Sequence, residues 1–178
     1  MSFRLIERQI VYKGKKIQFE VHRLENEDGV QTRREVCVHN GAVVILPLLP
    51  DDHVLLIRNR RYAVGQVLIE LPAGTLEKGE DPINCAGREL LEETGYLAKR
   101  LQPIGSFFSS PGVLSEKLYA FAAYDLEQST AALEEGEEIE LLPVSYDRAL
   151  EMALGGEIAD AKTIATLFLY DRLHRKST

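Results

Sequence analysis

The sequence predicts a mixed α/β fold in which one sheet is covered by helices on both faces. Segments typical of strands lie on both sides of a helical segment that begins at Pro82. Two further helical patterns close the chain. Strands before and after a helix, followed by terminal helices, favour a layered architecture with the sheet in the middle.

Residues 1–40 predict an antiparallel β-meander. The segments RLIERQIVYKG and KKIQFEVHRLE alternate apolar and polar residues around a Gly-Lys turn. Asn26–Gly29, NEDG, is a hairpin signal, after which VQTRREVCVH returns as a third strand. We therefore expect an N-terminal region over 1–40 and a main domain over 41–178.

Three strands are predicted at the start of the main domain. AVVILPLLP is a continuous apolar run, as in a strand that is buried on both faces. An Asp-Asp turn leads into HVLLIRNRRY, and QVLIELPAG predicts one further short strand that ends at Pro-Ala-Gly.

The pattern then changes to a helix. Pro82 suits the first turn, and Asp81 before it is a suitable N-cap. Gly95 is a natural residue to follow the helix C-terminus. Ile83, Ala86 and Leu90 recur at helical spacing and form one apolar stripe.

The remainder alternates again before it ends in helices. LQPIGSFF and EKLYAFAAYDL predict strands, and ALEEGEEIELLPV predicts an acidic loop that leads into another strand. Ser145 is the expected cap of a helix over YDRALEMALGG, and DAKTIATLFLYDRLHR predicts a closing amphipathic helix.

Composition narrows the class of protein. The chain is 45% hydrophobic and 28% charged, as expected of a globular domain, and its net charge of −7 argues against nucleic-acid binding. Its two cysteines provide no disulfide framework. The N-terminus has no apolar signal core, and the longest apolar run is far below the roughly 20 residues of a membrane span. We expect a cytoplasmic protein that does not enter membranes.

The predicted helix concentrates carboxylates in its last turn. Glu89 and Glu93, four residues apart, stack on one face, and Glu92 lies at its edge. The helix dipole disfavours negative charge there, and Arg88 is expected to pair with one of the three. One interpretation is a solvated acidic face. The other is a site for Mg²⁺, which prefers oxygen ligands and commonly binds one or two carboxylates together with substrate phosphates.

The spacing of these residues resembles the Nudix box. Nine specified positions over 23 residues match it, namely Gly74, Glu80, Arg88, Glu89, Leu90, Glu92, Glu93, Gly95 and Tyr96. The resemblance implies an α/β/α sandwich and Mg²⁺-dependent hydrolysis of a nucleoside diphosphate linked to another group, with Mn²⁺ as an alternative metal. It also implies a structural role for Glu80 and backbone roles for Gly74 and Gly95.

The resemblance also implies roles for individual residues. The implied metal ligands are Glu89, Glu93, Glu137 and the carbonyl of Ala73. Glu92 is a supporting carboxylate, and Arg88 holds the acidic residues in place by charge-assisted hydrogen bonds. Glu135 in the acidic loop is the implied general base, with Glu134, Glu137 and Glu138 as alternatives for that role.

Other segments resemble the ADP-ribose pyrophosphatase branch of the family. Pro111 of SSPGVLSEKL lies 16 residues after Gly95, where that branch carries a proline. Without the resemblance, Ser-Pro-Gly indicates only a turn. Likewise, the arginines in the strands could simply keep an exposed strand edge soluble. The substrate-binding residues implied by the branch are Arg34, Glu35, Arg61, Glu70, Pro111 and Glu116. The resemblance further implies that Arg34, Glu35 and Glu116 act across a homodimer whose N-terminal sheets are exchanged.

The resemblance implies a nucleoside diphosphate sugar as substrate. ADP-ribose, cleaved to AMP and ribose 5-phosphate, is the favoured substrate, and GDP-mannose or another sugar nucleotide is the alternative. The branch often has an aromatic residue after the first glycine of the meander, where this chain has Lys15, Lys16 and Ile17. A remote alternative is a non-catalytic nucleotide sensor, although such domains usually lose box carboxylates that this chain keeps.

Overall fold

The computed structural model describes residues 2–131 and 138–175 of the 178-residue chain. The chain divides into two compact units. Unit 1 comprises the residues up to Gly41 together with Phe108–Lys117, and unit 2 comprises Ala42–Phe107 and the residues from Leu118 onward.

Unit 1 contains the predicted meander. Strands β1 (Phe3–Lys13), β2 (Ile17–Asn26) and β3 (Gln31–His39) form an antiparallel sheet in the order β1-β2-β3. The amide of Asn26 donates to the carbonyl of Val30 at 3.0 Å, which closes the predicted hairpin. The segment Phe108–Lys117 is attached to β3 by hydrogen bonds on both sides of Cys37.

Unit 2 is built on a seven-stranded mixed sheet. Its strands are β4 (Ala42–Leu49), β5 (His53–Arg61), β6 (Gln66–Glu70), β7 (Ala73–Thr75), β8 (Tyr96–Phe108), β9 (Lys117–Gln128) and β10 (Ile139–Ser145). Their order is β10-β5-β4-β9-β8, with β6 paired to β5 and β7 to β4. Strands β4 and β9 are parallel, whereas β5 and β7 run antiparallel to β4. The predicted mixed sheet is confirmed.

The predicted short strand before Pro-Ala-Gly is β6, and the structure adds a second strand, β7, which was not predicted. Pro72 has no N–H to donate to a ladder, and its carbonyl accepts from the amide of Ile45 at 2.9 Å instead. The chain therefore leaves β5 after Glu70 and pairs with β4 from Ala73 onward.

Helices cover both faces of this sheet, as predicted. Successive residues of β4 alternate between two cores. Val43 and Ile45 pack with α1 (Pro82–Thr94), whereas Val44 and Leu46 pack with α2 (Tyr146–Leu154) and α3 (Ala161–His174). This arrangement explains why the β4 segment is continuously apolar.

Two expectations about chemistry and location can be compared with the structure. Cys37 and Cys85 are both free, in agreement with the absence of a disulfide framework. Among the described residues, no helix combines the length and apolar character that crossing a membrane requires.

Candidate active site

The ends of α1 lie where the sequence predicts them. The Asp81 side chain accepts from the amide of Ile83 at 3.1 Å, and Gly95 ends the helix with φ 74°. Gly95 is also approached closely, since a Cβ there would lie 3.0 Å from the Ala131 nitrogen. The predicted apolar stripe is wrong at Ile83, which is 39% exposed because the first turn lies largely at the surface. Cys85 is buried in the core instead.

Arg88 binds three carboxylates, whereas the sequence led us to expect one. Its Nε and Nη2 donate to Glu80 at 3.1 and 3.0 Å, and its Nη1 donates to Glu89 at 2.8 Å and Glu92 at 3.0 Å. The flat guanidinium carries five N–H groups in a fixed fork, so one arginine can hold several carboxylates at once. The prediction of a single partner was based on charge alone and did not take this geometry into account.

The Arg88 network shifts the pKa of its members. The hydrogen bonds from Arg88 hold the pKa of the Glu80 carboxyl below its ordinary value. The hydrogen bond to Glu80 raises the pKa of Arg88, even though partial burial opposes that shift. The second Glu80 oxygen also accepts from the amide of Glu77 at 2.9 Å. Glu80 therefore joins the loop before α1 to the helix.

Gly74 of β7 lies directly against the Glu89 side chain. A Cβ on residue 74 would lie 1.8 Å from Glu89 Cδ and about as close to both carboxylate oxygens. Only glycine leaves the space in which this carboxylate lies.

Glu93 lies on the side of α1 that faces β7. It is only 4% exposed, and its Oε2 accepts from the amide of Ala73 at 2.9 Å. The Pro72 break directs this amide at the helix. The structure thus brings together Ala73, Glu89, Glu92, Glu93 and Arg88 at one edge of α1.

The donor set of this edge suits a hard divalent cation. The carboxylates of Glu80, Glu89 and Glu92 pair with the guanidinium of Arg88, and the Glu93 carboxylate accepts from the Ala73 amide, so carboxylates outnumber the guanidinium at this edge. Carboxylate oxygens are the ligands that Mg²⁺ prefers. Within the described part of the chain, however, no three His, Cys, Asp or Glu side chains are already arranged around one point as a metal cluster.

A second charged network surrounds Glu70 at the end of β6. Arg61 donates from Nε and Nη2 to its two oxygens at 2.8 and 2.6 Å, and Lys162 of α3 donates to Oε2 at 2.5 Å. Burial raises the pKa of Glu70, but the Arg61 hydrogen bonds and the Lys162 charge outweigh it, so the pKa is lowered. Glu70 is therefore ionised, and both its oxygens are occupied by protein donors.

Four predicted substrate residues lie in unit 1. Arg34 of β3 donates from Nη1 to the Thr32 hydroxyl at 2.9 Å and to the Arg33 carbonyl at 2.8 Å. Glu35 is exposed, and as the next residue of the strand it projects to the opposite face of the sheet. The two side chains therefore do not present one continuous face.

Pro111 and Glu116 lie on the segment that is attached to β3. The amide of Cys37 donates to the Val113 carbonyl at 2.7 Å, and the Ser115 amide donates to the Cys37 carbonyl at 2.9 Å. Glu116 lies 3.6 Å from His39 Nδ1. The same nitrogen accepts from the Gly41 amide at 3.1 Å.

The predicted residues of the acidic loop lie outside the described residues. This applies to Glu135 as the base, to Glu137 as a metal ligand, and to the alternative Glu134. Glu138 is described and is exposed just before β10.

The sequence predicted the helix α3 but not the polar contacts made by its first turn. Asp160 caps this helix, and the Thr163 hydroxyl accepts from the Leu71 amide at 2.8 Å and donates to Asp160 at 2.6 Å. The Asp-x-x-Thr pattern indicates such a cap, but nothing local in the sequence indicates that Lys162 reaches Glu70.

Comparison with known proteins gives the family. The family profile described as NUDIX domain matches residues 38–167. A relative named ADP-ribose pyrophosphatase, from Bacillus subtilis, is 36% identical over 160 residues, which are 89% of this chain and 86% of the relative.

Other relatives carry different names. A Bacillus methanolicus protein named methanol dehydrogenase activator is 32% identical over 89% of this chain and 87% of its own length. A Salmonella paratyphi B protein named GDP-mannose pyrophosphatase is 36% identical over 80% of this chain and 79% of its own length.

A solved structure supports the fold. The crystal structure of an ADP compounds hydrolase has a TM-score of 0.87 at 24% identity and covers 98% of this chain and 95% of that chain. The predicted α/β fold class is confirmed.

Proposed function

Since the chain belongs to the NUDIX family of hydrolases, we propose that it hydrolyses the pyrophosphate bond of ADP-ribose to AMP and ribose 5-phosphate. The observation that carries this proposal is the edge of α1, where Arg88 holds three carboxylates and Glu93 is fixed on the Ala73 amide. The relative named ADP-ribose pyrophosphatase, which matches 89% of the chain, supports the choice of substrate.

We propose Mg²⁺ as the metal, with Mn²⁺ as an alternative. Glu89, Glu93 and the Ala73 carbonyl would hold it, with Glu92 in support. When bound, it supplies positive charge that neutralises the phosphates and favours ionisation of the attacking water.

The protein groups orient the reaction. Arg88 keeps the box carboxylates in place, and Arg61 is proposed to lie beside the pyrophosphate, where its guanidinium attracts phosphate oxygens. Water attacks one phosphorus, the bond from that phosphorus to the bridging oxygen breaks, and Glu135 accepts the water proton. Glu137 is proposed as a further metal ligand. These two assignments rest on the family resemblance.

Glu70 is proposed to act through Arg61. The Glu70 side chain is 1% exposed, and its oxygens accept from Arg61 and Lys162. A carboxylate in that position orients the arginine and is poorly placed to touch a substrate. Pro111 and Glu116 are proposed to contact the terminal sugar.

We further propose a homodimer in which Arg34 and Glu35 reach the nucleotide bound to the partner and Glu116 reaches its terminal sugar. Every residue of β1 is exposed, and the exposed side chains include Phe3, Ile10, Val11 and Tyr12. An exposed apolar edge strand is a surface that proteins usually cover.

GDP-mannose is the second candidate substrate, because relatives named GDP-mannose pyrophosphatase match 80% of the chain. A panel of ADP-ribose, GDP-mannose, UDP-glucose, NADH and dGTP, assayed with Mg²⁺ and a phosphatase-coupled readout, ranks the candidates. ADP-ribose is expected to give the highest kcat/KM. A higher value for GDP-mannose would change the substrate, and turnover of none would refute the proposal.

A further inference from the structure

The network around Glu70 joins three elements of unit 2 by alternating charges. Arg61 ends β5, Glu70 ends β6, and Lys162 and Asp160 begin α3. The Lys162 ammonium lies 2.5 Å from Glu70 Oε2 and 3.0 Å from Asp160 Oδ1. Positive and negative groups thus follow one another from Arg61 through Glu70 and Lys162 to Asp160.

The position of Lys162 is unusual for a helix. A cation in the first turn meets the positive end of the helix dipole, which costs free energy. The Lys162 side chain is nevertheless only 14% exposed, and its ammonium group pairs with two carboxylates. The position of Lys162 is therefore explained by its ion pairs with these carboxylates and not by a stabilising effect on the helix α3.

Without Lys162, the negative charge of Glu70 in this network would be neutralised by Arg61 alone. Arg61 uses Nε and Nη2 for Glu70, and Nη1 is not part of that pair. A guanidinium that is fully neutralised by one buried carboxylate attracts a further anion only weakly. With Lys162 present, Glu70 divides its charge between two cations, whereas without Lys162 two carboxylates would outnumber the single guanidinium.

Arg61 is the member of this network that can meet a ligand. Its side chain is 39% exposed, whereas that of Glu70 is 1% exposed. Its guanidinium also lies within the electrostatic field of the box residue Glu93.

We propose that Lys162 is a positioning residue that shares the charge of Glu70 and thereby leaves Arg61 available to the substrate phosphates. This inference rests on the proposed function, in which Arg61 lies beside the pyrophosphate. Lys162 acts through Glu70 on Arg61 and does not contact the substrate.

Steady-state kinetics of Lys162 variants tests this role. Lys162→Met is expected to raise KM for the hydrolysed sugar nucleotide about tenfold, since one charge-assisted contact is weakened, and to leave kcat within about twofold. Lys162→Arg is expected to restore KM, whereas Lys162→Gln, which keeps a hydrogen-bond donor without the charge, is not. Lys99→Met, which removes a surface lysine paired with Glu127, is the matched control and is expected to leave KM unchanged. Equal KM values for Lys162→Gln and wild type would overturn the inference. This comparison decides the question even if Lys162→Met fails to fold.

A double-mutant cycle separates charge sharing from direct contact. In a Glu70→Gln background there is no charge to share, so Lys162→Met is expected to change KM less than about twofold. If Lys162 instead contacted the phosphates, the tenfold effect would persist in that background, and the inference would be refuted.

A binding experiment distinguishes failure of the inference from failure of the proposed function. Calorimetric titration of ADP into metal-free protein is expected to give weaker binding for Lys162→Met than for wild type and Lys99→Met. If no sugar nucleotide is hydrolysed but this difference is seen, the proposed function fails and the inference stands. If sugar nucleotides are hydrolysed with unchanged KM, or ADP binds equally or not at all, the inference fails.

Discussion

The backbone of Gly74 lies so close to the Glu89 carboxylate that a Cβ on residue 74 would fall 1.8 Å from Glu89 Cδ. This contact couples β7 to the acidic edge of α1. The clashing group is the end of a flexible side chain, so an added methyl group can displace it without unfolding the protein. A substitution at position 74 can therefore change where the Glu89 carboxylate lies without a large change in the stability of the fold.

Gly74→Ala is expected to lower kcat about 100-fold, because small misplacements of reacting groups cost about this much. The melting temperature is expected to change little, since residue 74 does not have a positive φ. Gly87→Ala is the matched control, because its new Cβ would meet only Leu101 at 3.7 Å. Activity of Gly74→Ala equal to that of Gly87→Ala would show that the position of Glu89 is unimportant.

Glu70→Gln is expected to be destabilised at neutral pH by less than the roughly 3–5 kcal/mol of a fully buried broken pair, since Arg61 is partly exposed. The folded-state pKa of Glu70 is lowered from 4.5, so the stabilisation it provides is present above that pH and is lost as the pH falls below it. The difference in free energy of unfolding between wild type and Glu70→Gln should therefore shrink in acid.

Urea denaturation at a series of pH values measures this difference. Glu127→Gln, which removes a carboxylate at an exposed ion pair, is the control and is expected to differ little from wild type. A wild-type advantage over Glu70→Gln that stays constant below pH 4.5 would contradict the assignment.

Glu135→Gln is expected to lower kcat by about 10²- to 10⁴-fold, the usual contribution of a general base. The melting temperature should be unaffected if the residue acts only in catalysis. Wild-type turnover by this variant would transfer the role to Glu134, Glu137 or Glu138, which the same single substitutions then distinguish.

Light scattering at micromolar concentration is expected to give the mass of two 20.0 kDa chains. Burial of the apolar side chains of β1 against a second copy is the physical reason. A monomer would remove the proposed roles of Arg34, Glu35 and Glu116 across the dimer, while leaving those of the α1 edge intact.

Local signals were enough to predict most of the secondary structure. Asp81 and Gly95 lie at the two ends of α1 as predicted, and Ser145 caps α2 as predicted. Such capping depends on the residue itself and its near neighbours in the sequence. Strand β7 was not predicted, because its three residues are too few to show an alternating pattern. Ile83 matched the helical period, but its exposure depends on what the first turn packs against.

The site was predictable only in its local part. The box spacing brought attention to Glu89, Glu92 and Glu93, which lie on one helix. The three-way role of Arg88 required side-chain geometry, and the Glu70–Lys162 contact joins residues 92 positions apart in the chain. No periodicity or short motif reports on such a contact.

The most direct test is the rate of AMP release from ADP-ribose by wild type and Glu93→Gln, with Mg²⁺ and with EDTA. We expect stoichiometric AMP and ribose 5-phosphate from wild type with Mg²⁺, no products with EDTA, and a rate at least about 100-fold lower for a folded Glu93→Gln variant. Equal rates for the two proteins, or hydrolysis that is unaffected by EDTA, would contradict the assignment of the α1 carboxylates as the metal site of this hydrolase.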